Sequence, residues 1–253
     1  MSRRNRSTGV TLMELLIAVT LVSLLSVGIL FAMRVGLDAM ERTNRKINWK
    51  RRVAGADRVL HAQLGGLMPA KIRCAPSPDV PPAEVWLFQG ESQTLRFVST
   101  YSLNAAWRGR PQILEYQVIP ADNGQGLRLI VNEIPYYGVT SSALPCAGVV
   151  ADPLTGGPLL QLPPVAVSTR SFVLADRLAS CQFSYLDPRA VAPAPRWVDR
   201  WRRIDHPAAI RISFAHLEPD PSRLQTVSVT VPIRIERHWD RGYADVPDEP
   251  KRP

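Results

Sequence analysis

Glu14 has a setting that demands a chemical explanation. It follows Gly9-Val10-Thr11-Leu12-Met13 and stands near the head of the run VTLMELLIAVTLVSLLSVGILFAM. A carboxylate just inside apolar sequence is costly to desolvate and is a functional candidate by default. From Leu15 to Met33 there is no charged residue, and this stretch would span ~28 Å as a helix, about one hydrocarbon core. The nine residues before it, MSRRNRSTG, carry Arg3, Arg4 and Arg6 and no acid. Arginines on that side favour a cytoplasmic N-terminus and an exported remainder. A secretory signal peptide needs a shorter apolar region followed by a small-x-small cleavage site. Here the run continues into Phe-Ala-Met-Arg-Val-Gly. A plain anchor would leave Glu14 without a role.

Other reactive side chains are sparse. The three cysteines, Cys74, Cys146 and Cys181, form no CxxC pair, so a structural zinc site is not expected. An exported chain with three cysteines can form at most one disulfide. Cys181 alternates in phase with Phe183 and Tyr185 and reads as a small core residue. Cys74 and Cys146, in Pro-flanked loop-like sequence, remain as the pair for a bond. Of the four histidines, His216 with Glu218 and Asp220 offers a weak metal cluster, and a solvated strand end explains that group better than a metal site. The acid of the Asp152 loop is too isolated to signal calcium. Trp197 and Trp201 lie among arginines, as at binding hot spots, or fold back onto their own domain. No phosphate loop, dinucleotide fingerprint, GxSxG or HExxH is present, so neither catalysis nor a cofactor is expected. The formal charge of +9 is scattered, and no nucleic-acid module accompanies it.

The segment Gly9-Val10-Thr11-Leu12-Met13-Glu14, with its basic leader and apolar helix, resembles the cleavage and methylation motif of type IV pilins and type II secretion pseudopilins. The resemblance implies that a prepilin peptidase cuts between Gly9 and Val10 and methylates the new amine. Val10 departs from the family, in which Phe or Met is commoner. Glu14 would become the fifth mature residue. In a filament it could pair with the N-terminal amine of a neighbouring subunit, which would offset desolvation and set the register between subunits.

These residues need a long helix to carry them. From Arg34 to Leu67 there is no proline, and Val35, Leu37, Met40, Ile47, Val53, Val59, Leu60, Leu64 and Leu67 recur near helical period. The spacing predicts one helix from about Thr11 to about Leu67, ended by Gly65-Gly66 and Pro69. Beyond it the pattern changes to short runs of period two. Strands are expected at Glu84–Phe88, Thr94–Thr100, Ile113–Ile119, Leu127–Asn132, Phe172–Ala175, Ala179–Leu186, Ala208–Leu217 and Gln225–Glu236. Asn123-Gly124-Gln125-Gly126 reads as a hairpin turn, and Pro232 as an edge position or strand end. Pro135 to Ser171 and Asp187 to Pro207 read as loop-rich. The fold class expected is α+β: a long transmembrane and stalk helix followed by a mainly antiparallel β head, as in pilins.

The order of features in the head resembles the minor pseudopilin J family of type II secretion. It is carried by Leu95-Arg96-Phe97, Trp107 to Pro111, Ile113-Leu114-Glu115-Tyr116-Gln117-Val118, Leu178 to Asp187, and the Trp197 to Phe214 region. The implied organisation is a leader at 1–9, a membrane and filament-core segment at 10–33, an amphipathic continuation at 34–68, a periplasmic head at 69–239 and a polar tail at 240–253. The implied partners are other pseudopilins or minor pilins, the prepilin peptidase and the inner-membrane assembly platform. A minor pilin of a type IV pilus and a membrane-tethered β-domain binding protein are the alternative roles.

Overall fold

The computed structural model describes residues 11–75, 79, 81–104, 107–122, 124–139, 146–151, 156, 158–169, 171–189, 196–203, 205–217 and 226–235. The chain divides into two compact units, Met1–Arg52 and Val53–Pro253. Helix α1 runs from Leu12 to Gly65. Its start is set by Thr11, whose side-chain oxygen accepts the N–H of Glu14 at 3.3 Å and whose carbonyl accepts the N–H of Leu15 at 3.2 Å. That is the N-cap arrangement in which a Thr satisfies free amide donors. The helix stops where Gly66 donates its N–H to the Ala62 carbonyl at 3.0 Å. A Cβ on Gly66 would lie 2.8 Å from Ser99 Oγ, so only glycine lets the chain pass this closely.

The strands follow in order: β1 (Leu67–Met68), β2 (Lys71–Cys74), β3 (Ala83–Trp86), β4 (Phe88–Gly90), β5 (Thr94–Ser102), β6 (Trp107–Pro120), β7 (Leu127–Pro135), β8 (Gly148–Ala151), β9 (Pro158–Gln161), β10 (Phe172–Asp187), β11 (Arg196–Val198), β12 (Ala209–His216) and β13 (Thr226–Pro232). The main sheet has the order β1-β5-β6-β7-β10-β12-β13, with β4 beside β5 and β11 beside β10. Every pairing is antiparallel, and β2–β3 and β8–β9 form two small hairpin sheets. The architecture is therefore α+β, with a long apolar N-terminal helix followed by a mainly antiparallel β head.

Alternation along the strands builds two cores. Leu95, Phe97, Leu114, Tyr116, Phe183, Tyr185, Ile210 and Ile212 face Leu60 and Leu64 of α1. Val98 and Ile113 point the other way and pack with Ile72, Cys74, Val85 and Leu87. Each such buried side chain contributes about 1.5–3 kcal/mol of hydrophobic stabilisation.

The structure corrects several strand boundaries. The expected strands Phe172–Ala175 and Ala179–Leu186 are one strand, β10. Its register slips at Val173/Ala175, Ala175/Leu178 and Leu178/Ser180, and Arg177 takes a φ of 57°. These bulges break the period of two that the sequence reading relies on. The expected strand Glu84–Phe88 divides at Leu87, because β3 pairs with β2 while β4 pairs with β5. The two loop-rich segments contain β8, β9 and β11, strands of three or four residues that are too short to show a period.

Candidate functional site

Residues Leu12–Asn44 of α1 form the one helix among the described residues long and apolar enough to cross a membrane, and its most apolar stretch is wholly exposed in the isolated chain. Leu15, Leu24, Leu30 and Phe31 are among its exposed large apolar side chains. Three hydroxyls interrupt this surface, and each bonds to its own helix. Thr20 Oγ1 donates to the Ile17 carbonyl at 2.9 Å, Ser23 Oγ to Val19 at 2.7 Å and Ser26 Oγ to Val22 at 2.8 Å. Such back-bonding hides the polar group where no water is available.

Glu14 has no comparable partner. Its backbone N–H is held by Thr11. Its carboxylate is exposed and makes no hydrogen bond or ion pair among the described residues. It sits in the first helical turn, where the helix dipole favours a negative charge by about 0.3–1 kcal/mol. The arrangement can present one unpaired carboxylate at the N-terminal end of an apolar rod. Gly9 and Val10, the expected cleavage pair, lie outside the described residues, as do Asp152, Glu218 and Asp220.

The other residues singled out by sequence fall elsewhere. Cys74 and Cys146 are joined in a disulfide, with Cα atoms 5.4 Å apart. It ties β2 to the segment leading into β8. Cys181 is free and buried, and burial pushes its thiol up to about 12. Trp201 is not a surface residue. It is fully buried in the main core, its indole N–H donates to the Asp205 carbonyl at 2.7 Å, and its backbone pairs with Gly90. The partner-surface reading is therefore corrected for Trp201, because its loop folds back onto the head. Trp197 is half-buried under the guanidinium of Arg211, 3.7 Å from the ring centre. The neighbouring arginines are tied to acids. Arg203 grips Asp187 through both carboxylate oxygens, which holds that carboxyl below its usual range. Arg202 and Arg200 share Glu91, and Arg189 lies 2.8 Å from Asp205.

Sequence reasoning missed a polar knot where α1 meets the sheet in the second unit. Gln63 is fully buried and donates from Nε2 to Glu133 Oε1 at 3.0 Å. The Tyr116 hydroxyl donates to Gln63 Oε1. Glu133 also accepts from Ser102 Oγ at 2.9 Å, Leu103 N–H at 2.6 Å and Asn104 N–H at 3.1 Å. Burial, reinforced by the charge of Glu133, pushes the Tyr116 hydroxyl well above its ordinary range. On the opposite face Arg96 lies 2.9 Å from Glu115 and donates to Gln89 and to the Pro163 carbonyl. Lone polar residues inside apolar strands gave the only signal for these pairs.

A family model described as the prokaryotic N-terminal methylation motif matches residues 4–30. No curated protein matches the chain. The matched residues take in Gly9, Glu14 and most of the apolar run, and the match supports a protein of the type IV pilin-like and pseudopilin class. With the apolar helix, it points to membrane anchoring through the N-terminal helix and to assembly with other pilin-like subunits.

Proposed function

We propose that the chain is a minor pseudopilin, a structural assembly subunit of a type II secretion pseudopilus. Prepilin peptidase cuts it between Gly9 and Val10 and methylates the new amine. It then rests in the inner membrane by one span, N-terminus cytoplasmic and head periplasmic, until the assembly platform extracts it into the filament. The observation that carries this reading is the contrast within α1. Every polar side chain from Leu15 to Met33 is satisfied by the helix itself, and Glu14 alone is left to be paired from outside. A methylated amine on an adjacent subunit supplies that charge. The order of features in the head, from Leu95-Arg96-Phe97 to the Trp197 region, favours the minor pseudopilin over a minor pilin of a type IV pilus.

The test is intact mass and N-terminal sequencing of the membrane-extracted protein, with and without co-expressed prepilin peptidase, followed by Glu14→Ala. The expected mature chain starts at Val10 with one added methyl group, and Glu14→Ala stays in the membrane but no longer cross-links to partner subunits. A chain still beginning at Met1, or a Glu14→Ala variant that assembles as well as wild type, overturns the reading. The latter result fits a β-domain binding protein merely tethered by its helix.

A further inference from the structure

The apolar segment is followed by a charge pattern that membrane insertion does not require. Between Arg34 and Arg52 the chain carries seven cations and two acids, Asp38 and Glu41, whereas the leader before the span carries three arginines. Cations near the end of a span oppose export of that end, so this excess works against the orientation proposed above. Its placement is ordered. Arg42, Arg45, Lys46 and Lys50, with Trp49 among them, recur at i, i+3, i+4, i+7 and i+8 along α1, which puts them on one side of the helix. Leu37, Met40 and Ile47 fall on the opposite side and are exposed.

We infer that residues 34–52 form a docking belt for anionic phospholipid headgroups in the leaflet at the C-terminal end of the span. The inference rests on the reading of Leu12–Met33 as a membrane span. Two observations favour lipid over an acidic protein. The stripe continues the apolar helix without a break, so its height above the membrane is fixed by helical rise: Arg42 to Lys46 start ~12–18 Å beyond Arg34. Long side chains on a helix lean toward its N-terminus, here back toward the apolar segment, and Arg42 is exposed and free to do so. That brings charge within about a Debye length, ~8 Å, of the phosphate layer.

The belt would hold the subunit upright by exchanging counterions for lipid phosphates, and would have to release them when the subunit is drawn into a filament. The experiment uses the full chain in nanodiscs of mixed phosphatidylcholine and phosphatidylglycerol. The lipid retained around the protein is measured by mass spectrometry at low and high salt. The expected result is enrichment of phosphatidylglycerol over the bulk mixture by roughly threefold or more. It should fall toward unity in 0.5 M salt and in R42Q/R45Q/K46Q/K50Q. A wild-type chain that enters nanodiscs and shows no enrichment, or enrichment the quadruple variant keeps, overturns the belt while leaving the span intact. Enrichment absent but partner cross-linking lost in the variant makes the stripe a protein contact and also overturns it. A chain that does not enter nanodiscs at all refutes the span and the belt together.

Discussion

Replacing Glu133 by alanine tests whether the polar knot fixes the end of α1 to the sheet. The carboxylate accepts four hydrogen bonds, from Gln63, Ser102, Leu103 and Asn104. Gln63 is fully buried, so its amide would lose its acceptor and gain no water, at a cost of about 1–3 kcal/mol. The Ser102 hydroxyl is buried as well, whereas the backbone N–H groups of Leu103 and Asn104 lie nearer the surface and recover part of their bonding from solvent. The summed loss should be about 3–4 kcal/mol, a large share of the stability of an ordinary domain. Guanidinium unfolding of the detergent-solubilised chain, followed by fluorescence, reads it as a lower midpoint at unchanged slope. The cycle through Gln63→Leu, Glu133→Leu and the double variant should give a coupling of at least 1 kcal/mol. A loss below 1 kcal/mol for Glu133→Ala, or a coupling within 0.5 kcal/mol of zero, refutes the idea that these groups act as one unit.

The disulfide closes a loop of 72 residues in sequence separation, which in the chain-entropy account stabilises the fold by about 4 kcal/mol. Reductant, or Cys74→Ser with Cys146→Ser, should shift the unfolding midpoint accordingly, and thiol labelling of the unreduced, unfolded protein should find Cys181 alone. Labelling of all three cysteines without reductant would refute the bond. A Cβ on Gly90 would lie 2.7 Å from the Tyr185 ring and 2.9 Å from Trp201 Cβ. Gly90→Ala should therefore cost about 1–3 kcal/mol by overpacking. Gly55 lies in α1 with nothing within 4 Å of its Cβ position, and Gly55→Ala should instead stabilise by about 0.5–1 kcal/mol. Thermal midpoints moving in the same direction for both would refute the packing argument.

What the sequence revealed depended on how far each signal extends along the chain. The helix was legible because the absence of proline and the recurrence of apolar residues persist over many turns, and its end was marked by Gly65-Gly66. Strands were legible where alternation ran unbroken, as in Thr226–Val231 of the edge strand β13. Where β10 bulges around Arg177, the alternation resets and the one strand reads as two. β1, β8 and β11 owe their existence to a partner strand rather than to a pattern of their own. The placement of Trp201 was not legible, because its contacts with Gly90 and Asp205 depend on a loop folding back over the sheet edge. The knot around Glu133 was hidden for a related reason. Its members lie on α1, β5, β6 and β7, far apart in the chain, and nothing local marks Gln63 as different from any other polar residue on a helix.

Glu133 and Glu14 together show how the environment decides what a carboxylate does in this chain. Glu133 is partly buried, and its four donors come from the same chain, so its charge is spent on stability and is not available to a partner. Glu14 lies at the start of a helix whose hydroxyls have already closed on their own carbonyls. No donor within the described residues reaches its side chain. An apolar surface of that length is hidden only by lipid or by other helices, and either environment raises the cost of leaving Glu14 unpaired. A positive group entering with a neighbouring subunit would remove that cost once per contact and at a fixed height. The unpaired carboxylate would then favour one axial offset between subunits over the others. A purely apolar helix has no such preference, since sliding by one turn exchanges one set of leucine contacts for another of similar worth.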